Sequence, residues 1–115
     1  MERDMDLIRQ ILFAVEGGAI GRVQIEQYDE TAVTYHVRML IEAGYLSGTH
    51  SRDSGGITAN FSHMTWQGHD FIDAARDDER WKKAQSVVKE KGGSVAIDVL
   101  KQLLSSMVKQ AIGLG

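Results

Sequence analysis

Glycines at Gly17-Gly18, Gly44, Gly55-Gly56 and Gly92-Gly93 divide the chain into short segments, and the spacing of apolar residues changes from one segment to the next. In the first segment Leu7, Ile8, Ile11, Leu12 and Val15 share one helical face, with Asp6, Arg9, Gln10 and Glu16 opposite. A helix is predicted from Asp4, its N-cap, to Glu16, and Gly17-Gly18 ends it because glycine enters the left-handed region without a Cβ clash. The run from Arg22 to Gln27 alternates polar and apolar residues as a half-buried strand does. A second helix opens at Asp29 or the turn before it, carries the core stripe Val33, Val37, Leu40 and Ile41, and stops at Gly44. Tyr45-Leu46 returns to extended structure. Residues 47–56 form a polar, turn-rich loop, and Ile57 to Met64 alternate again. Helix, short strand, helix and a hairpin with a polar tip is the order of an α+β winged helix.

The rest of the chain reads as helical. Thr65 caps a helix whose Phe71, Ile72 and Ala75 face inward, and Asp77-Asp78-Glu79 lead into another carrying Trp81, Ala84 and Val88. Lys89 and Lys91 suit its C-terminal end, Gly92-Gly93 break it, and Ser94 caps a last helix from Val95 to about Ile112. The apolar residues of that helix sweep roughly 180°, wider than the roughly 100° stripe that covers one core. That width predicts a homodimer interface formed by Val99, Leu100, Leu103, Leu104, Met107, Val108 and Ala111. With no proline, no linker-like tract and no internal repeat, the expected organisation is one compact domain. Residues 1–76 would be the winged-helix module, and residues 77–115 the helices that pack on it or join two copies.

Three stretches carry a family resemblance: Met1-Glu2-Arg3-Asp4-Met5-Asp6-Leu7-Ile8-Arg9; Tyr35-His36-Val37 followed by Leu40-Ile41-Glu42-Ala43-Gly44-Tyr45-Leu46; and Thr65-Trp66-Gln67-Gly68-His69-Asp70-Phe71-Ile72-Asp73 with Arg76-Asp77-Asp78 and Trp81. Together they resemble the bacterial and phage family known as domain of unknown function 2513, over almost the whole chain. The Thr-Trp-x-Gly-His-Asp-Phe stretch is the most specific part. The resemblance implies a winged-helix fold and an origin often in prophages or mobile elements, and it carries no activity or site residues.

Few kinds of chemistry fit the side chains. Without cysteine there is no disulfide, thiolate zinc site, iron–sulfur cluster or cysteine nucleophile. The first residues lack the uninterrupted apolar core of a signal peptide, so the expected location is the cytoplasm, with no membrane contact. His63, His69, Asp70 and Asp73 are the best metal candidates, but they lack the local His pair that zinc sites use, and His69 is expected to pack beside Trp66 at a helix start. His36 is expected to be solvated or hydrogen-bonded beside the core stripe. Ser47, Ser51 and Ser54 lie in a loop without a nucleophile elbow, and neither glycine pair leads into a phosphate loop. The chain is expected to be a non-enzyme that needs no metal, cofactor or small molecule.

Two binding readings remain. A winged helix places its second main helix in the major groove. Here the exposed face of that helix would offer Glu30, Thr31, Thr34, Tyr35, Arg38 and Glu42, and the wing would offer His50 and Arg52. Against double-stranded DNA stands the charge. Residues 1–65 hold five arginines, no lysine and nine carboxylates, a net of −4, whereas affinity for a duplex comes largely from neutralised phosphates. Residues 66–115 carry +1; their Arg80, Lys82 and Lys83 read as a solvated helix face. This balance favours a protein-interaction module of phage or mobile-element origin that steers toward a basic host or defence protein, with a DNA-binding transcriptional regulator as the alternative.

Overall fold

A computed structural model describes residues 3–90 and 97–113. It is a mixed α+β chain in the order α1 (Met5–Glu16), α2 (Glu30–Glu42), β1 (Leu46–Asp53), β2 (Gly56–Met64), α3 (Trp66–Ala75), α4 (Asp78–Glu90) and α5 (Ile97–Ala111). The chain divides into two compact units, Met1–His69 and Asp70–Gly115, so the division falls inside α3, upstream of the boundary expected at residue 76. No helix among the described residues is long and apolar enough to cross a membrane.

In the first unit α1 buries Leu7, Ile8, Ile11 and Leu12, while Val15 is half-buried. Each of the four fully buried side chains contributes roughly 1.5–3 kcal/mol on leaving water. Asp4 caps the helix through its side chain, which accepts from the Leu7 N–H at 3.1 Å. Gly18, one residue past the C-cap, takes the positive φ of 112° that the glycine pair was expected to supply. α2 begins the same way, with the Asp29 carboxylate accepting from the Ala32 N–H at 2.8 Å, and Gly44 follows its end at φ 85°. The buried stripe of α2 differs from the expected one. It is Val33, His36, Val37 and Leu40, with Ile41 only half-buried. An imidazole enters the stripe because both of its ring nitrogens find partners, as described below.

The extended structure also departs from expectation. Residues 22–27 do not form a strand; Gly21, just before them, makes an isolated antiparallel bridge to Phe61. Exposure still alternates along the segment, so the period-2 signal reported side-chain burial without ladder pairing. Conversely, most of the expected loop at 47–56 is strand, because β1 runs to Asp53 and only Ser54-Gly55 turn. The turn is held by the Asp53 side chain, which accepts from the Gly55 N–H at 2.8 Å. From Thr49 onward β1 is exposed on both faces, so no alternation marked it. Its register with β2 shifts between Ser47 and Gly48, leaving Ser62 as an extra residue whose hydroxyl donates to the Ser47 carbonyl at 3.1 Å. A Cβ on Gly48 would fall on the Asn60 carbonyl oxygen, so the strands approach this closely only because the side chain is absent.

α1 packs on α2 and β2, and α2 packs on both strands. Thr65 bonds from its hydroxyl to the Gly44 carbonyl at 2.5 Å and accepts from the Gly68 N–H at 3.1 Å, so one side chain caps α3 and ties it to the end of α2. In the second unit Phe71, Ile72, Ala75, Trp81, Ala84 and Val88 are buried, with the Phe71 and Trp81 rings edge to face at 6.3 Å. Asp77 caps α4 by accepting from the Arg80 N–H at 2.8 Å, and α4 packs on α5. Gly92-Gly93, the Ser94 cap and the expected helix start at Val95 lie outside the described residues.

Candidate functional site

The outward face of α2 and the outer half of the hairpin enclose a cleft of about 830 Å³. Thr31, Thr34, Tyr35 and Arg38 line its helical wall, spaced so that successive turns of α2 put them on one face. Arg52 and residues 55–61 line the strand side, and residues 21–24 close the third side. The Gly21 bridge to Phe61 brings that last segment in, and with it Arg22.

Three of the five arginines in residues 1–65 therefore converge on one cleft, against a single lining carboxylate, Glu30. Arg22 reaches Glu30 at 3.7 Å, but both side chains are about four-fifths exposed, so the pair contributes little and yields readily to another anion. Arg38 is mostly covered, and its Nε donates to Glu42 Oε1 at 2.9 Å. Arg52 is exposed and makes no ion pair or hydrogen bond among the described residues.

Of the residues expected at a nucleic-acid face, Glu30, Thr31, Thr34, Tyr35, Arg38 and Arg52 meet at the cleft. Glu42 and His50 stand beside it and approach each other at 3.8 Å. Tyr35 is held edge-on to the His36 ring, with centroids 5.5 Å apart. The part played by Arg22 was not legible, because its place depends on one bridge to a residue far along the chain.

Behind the cleft, His36 joins α1 to α2. The Asp4 N–H donates to its Nε2 at 2.8 Å, which leaves the ring proton on Nδ1 to donate to the Ala32 carbonyl at 2.7 Å. The Tyr28 hydroxyl donates to the Asp4 carboxylate at 2.8 Å. Burial, that hydrogen bond and the negative charges of Asp4 and Asp6 push the Tyr28 phenol up to about 12.

Elsewhere the candidate residues separate. In α5, Leu100 and Leu104 are fully buried in the chain's own fold; Leu103, Met107 and Val108 are half-buried, and Val99 and Ala111 are exposed. Arg80 donates to the Ala74 carbonyl at 3.2 Å, while Lys82 and Lys83 are exposed. Among the described residues no group of three or more His, Asp or Glu is arranged to hold a metal ion.

The family model described as Hypothetical protein (DUF2513) matches residues 2–94. The chain belongs to this family. A protein of Haemophilus influenzae named "Uncharacterized protein" is similar to this DUF2513 chain, 27% identical over 117 residues that cover 97% of this chain and 99% of that protein. No solved structure matches it.

The fold explains half of the most specific DUF2513 stretch. Thr65 is the α3 cap, Phe71 is fully buried, and a Cβ on Gly68 would fall on the Tyr45 carbonyl oxygen and within 2.5 Å of the Met64 side chain. Trp66 and His69 are exposed, Trp66 by 83%, and neither makes a ring contact among the described residues. The expected packing of His69 on Trp66 is therefore absent, because the helix start turns both rings to solvent.

Proposed function

We propose that this chain is a DNA-binding winged helix, in which α2 is the recognition helix and the β1–β2 hairpin is the wing. The observation that carries the proposal is the convergence of Arg22, Arg38 and Arg52 on the cleft between them. Net charge over the sequence favours a protein partner, but a duplex meets a face, and this one carries three arginines against Glu30 in the cleft lining and Glu42 bonded to Arg38 beside it, a positive balance. Thr31, Thr34, Tyr35 and Arg38 would address base edges, while Arg22 and Arg52 neutralise phosphates. The proposed role is binding without catalysis. Two copies joined through α5 would supply two recognition helices, which suits a transcriptional regulator.

The test is selection from genomic fragments at low salt, followed by affinity measured over a salt series. One sequence class should be enriched. Two phosphate contacts per protomer give a slope of log K against log salt of about −2 for one protomer and about −4 for a bound pair, and Arg52→Ala should reduce it by about 1 per protomer while weakening all sequences alike. No enriched sequence, with Arg52→Ala and Arg38→Ala indistinguishable from wild type, would overturn the reading.

A second reading, a protein-interaction module of phage or mobile-element origin acting on a host or defence protein, has its own support. Ile20 and Trp66 are 84% and 83% exposed, and exposed tryptophan is the residue type that most often anchors a protein interface. Capture of one host protein by wild type and not by Trp66→Ala, with no DNA recovered, would favour it.

A further inference from the structure

Glu42 is poorly placed for helix stability. It lies in the last turn of α2, where the exposed carbonyls carry partial negative charge, and no basic residue accompanies it there. Its partner Arg38 precedes it by four residues, the weaker order for an ion pair on a helix, and the carboxylate is 43% exposed. Its geometry toward Arg38 is more informative. Glu42 Oε1 takes the Nε–H at 2.9 Å, which orients the planar guanidinium, and the two terminal nitrogens have no partner among the described residues. Arg38 lines the cleft, its side chain only 25% exposed.

We propose that Glu42 is a positioning residue that makes Arg38 a reader of guanine instead of a phosphate clamp; the inference rests on the DNA-binding reading above. A guanidinium with its Nε engaged keeps a pair of terminal N–H donors, which match the two major-groove acceptors of guanine, O6 and N7. Adenine presents an amino donor in place of O6 and is rejected. The adjacent carboxylate repels phosphate, so backbone contacts fall to Arg22 and Arg52, which have no hydrogen-bonded carboxylate. Fixing the fork before binding also removes part of the ordering cost of the contact.

The experiment uses the full chain with three duplexes: the site enriched by wild type, the same site with guanine changed to adenine where Arg38→Ala loses discrimination, and an unrelated sequence. Wild type should prefer guanine by about 5- to 150-fold. Glu42→Ala should reduce that preference to about threefold or less and raise affinity for the unrelated duplex, since a negative charge is gone. Glu42→Gln keeps an oxygen to accept the Nε–H, so it should retain the guanine preference while also binding the unrelated duplex more tightly. If Ala and Gln behave alike, the effect is charge alone and the positioning role falls. It falls too if Glu42→Ala discriminates as wild type does, or if the enriched site has no guanine that depends on Arg38; the DNA-binding reading survives these results. Wild type binding none of the duplexes at low salt overturns both.

Discussion

Asp4 shows how much one short side chain organises. Its carboxylate caps α1 and accepts the Tyr28 hydroxyl, and its backbone N–H is bonded to His36 on α2. A hydrogen bond to a charged group contributes about 1.5–3 kcal/mol, so Tyr28→Phe should cost about 1–2 kcal/mol at neutral pH after allowing for partial exposure. The pH dependence has a definite sign. Because the folded phenol is raised from 10.0 to about 12, its contribution is complete below pH 10 and is lost as pH rises through 12. Urea midpoints should therefore separate wild type from Tyr28→Phe at neutral pH and converge near about pH 11–12. A separation that stays constant across that range would contradict the assignment. The bonded state of His36 was anticipated as one of two options. Its burial was not, because a histidine between apolar residues reads as polar until both ring nitrogens are shown to have partners.

The helices and the hairpin differ in how plainly the chain announces them. α1 and α2 carry a 3.6-residue period and an aspartate cap, both of which are nearest-neighbour properties. Asp29→Ala should lower stability by about 1 kcal/mol in thermal denaturation, with Asp29→Ser restoring most of it. On the proposed DNA-binding reading it should also weaken specific binding, because Thr31 and Thr34 lie in the turns that the cap holds. Stability unchanged in Asp29→Ala would show that tertiary packing alone holds that end. β1 carried no such mark. Most of its residues are exposed, and it is a strand because β2 pairs with it along its whole length.

For the whole molecule, the arc of α5 resolves into two flanks. Leu100 and Leu104 are covered within the chain, which removes them from the interface expected between copies. Val99, Leu103 and Met107, each four residues from the next, remain partly exposed and form the narrower stripe that a second copy would cover. Sedimentation equilibrium at micromolar concentration should give a dimer, and Leu103→Asp a monomer that still folds. A monomeric wild type would remove dimerisation and, with it, the pairing of α2 helices that the proposed regulator uses.

Periodicity and capping act over three or four residues, so the five helices, the aspartate and threonine caps, the glycine stops after α1 and α2 and most of the buried positions are legible along the chain. Contacts between distant segments make residues 47–53 a strand, leave residues 22–27 out of the sheet and bring His36 into the core. They also set the charge that a partner meets. The sequence supplies nine carboxylates and five arginines to residues 1–65, and only the bridge at Gly21 and the pairing of β1 with β2 bring Arg22 and Arg52 to the face of α2 that carries Arg38. Net charge sums over the chain irrespective of position, whereas the potential at a binding face depends on which charges lie within about 10 Å of it, and contacts between distant segments set those distances.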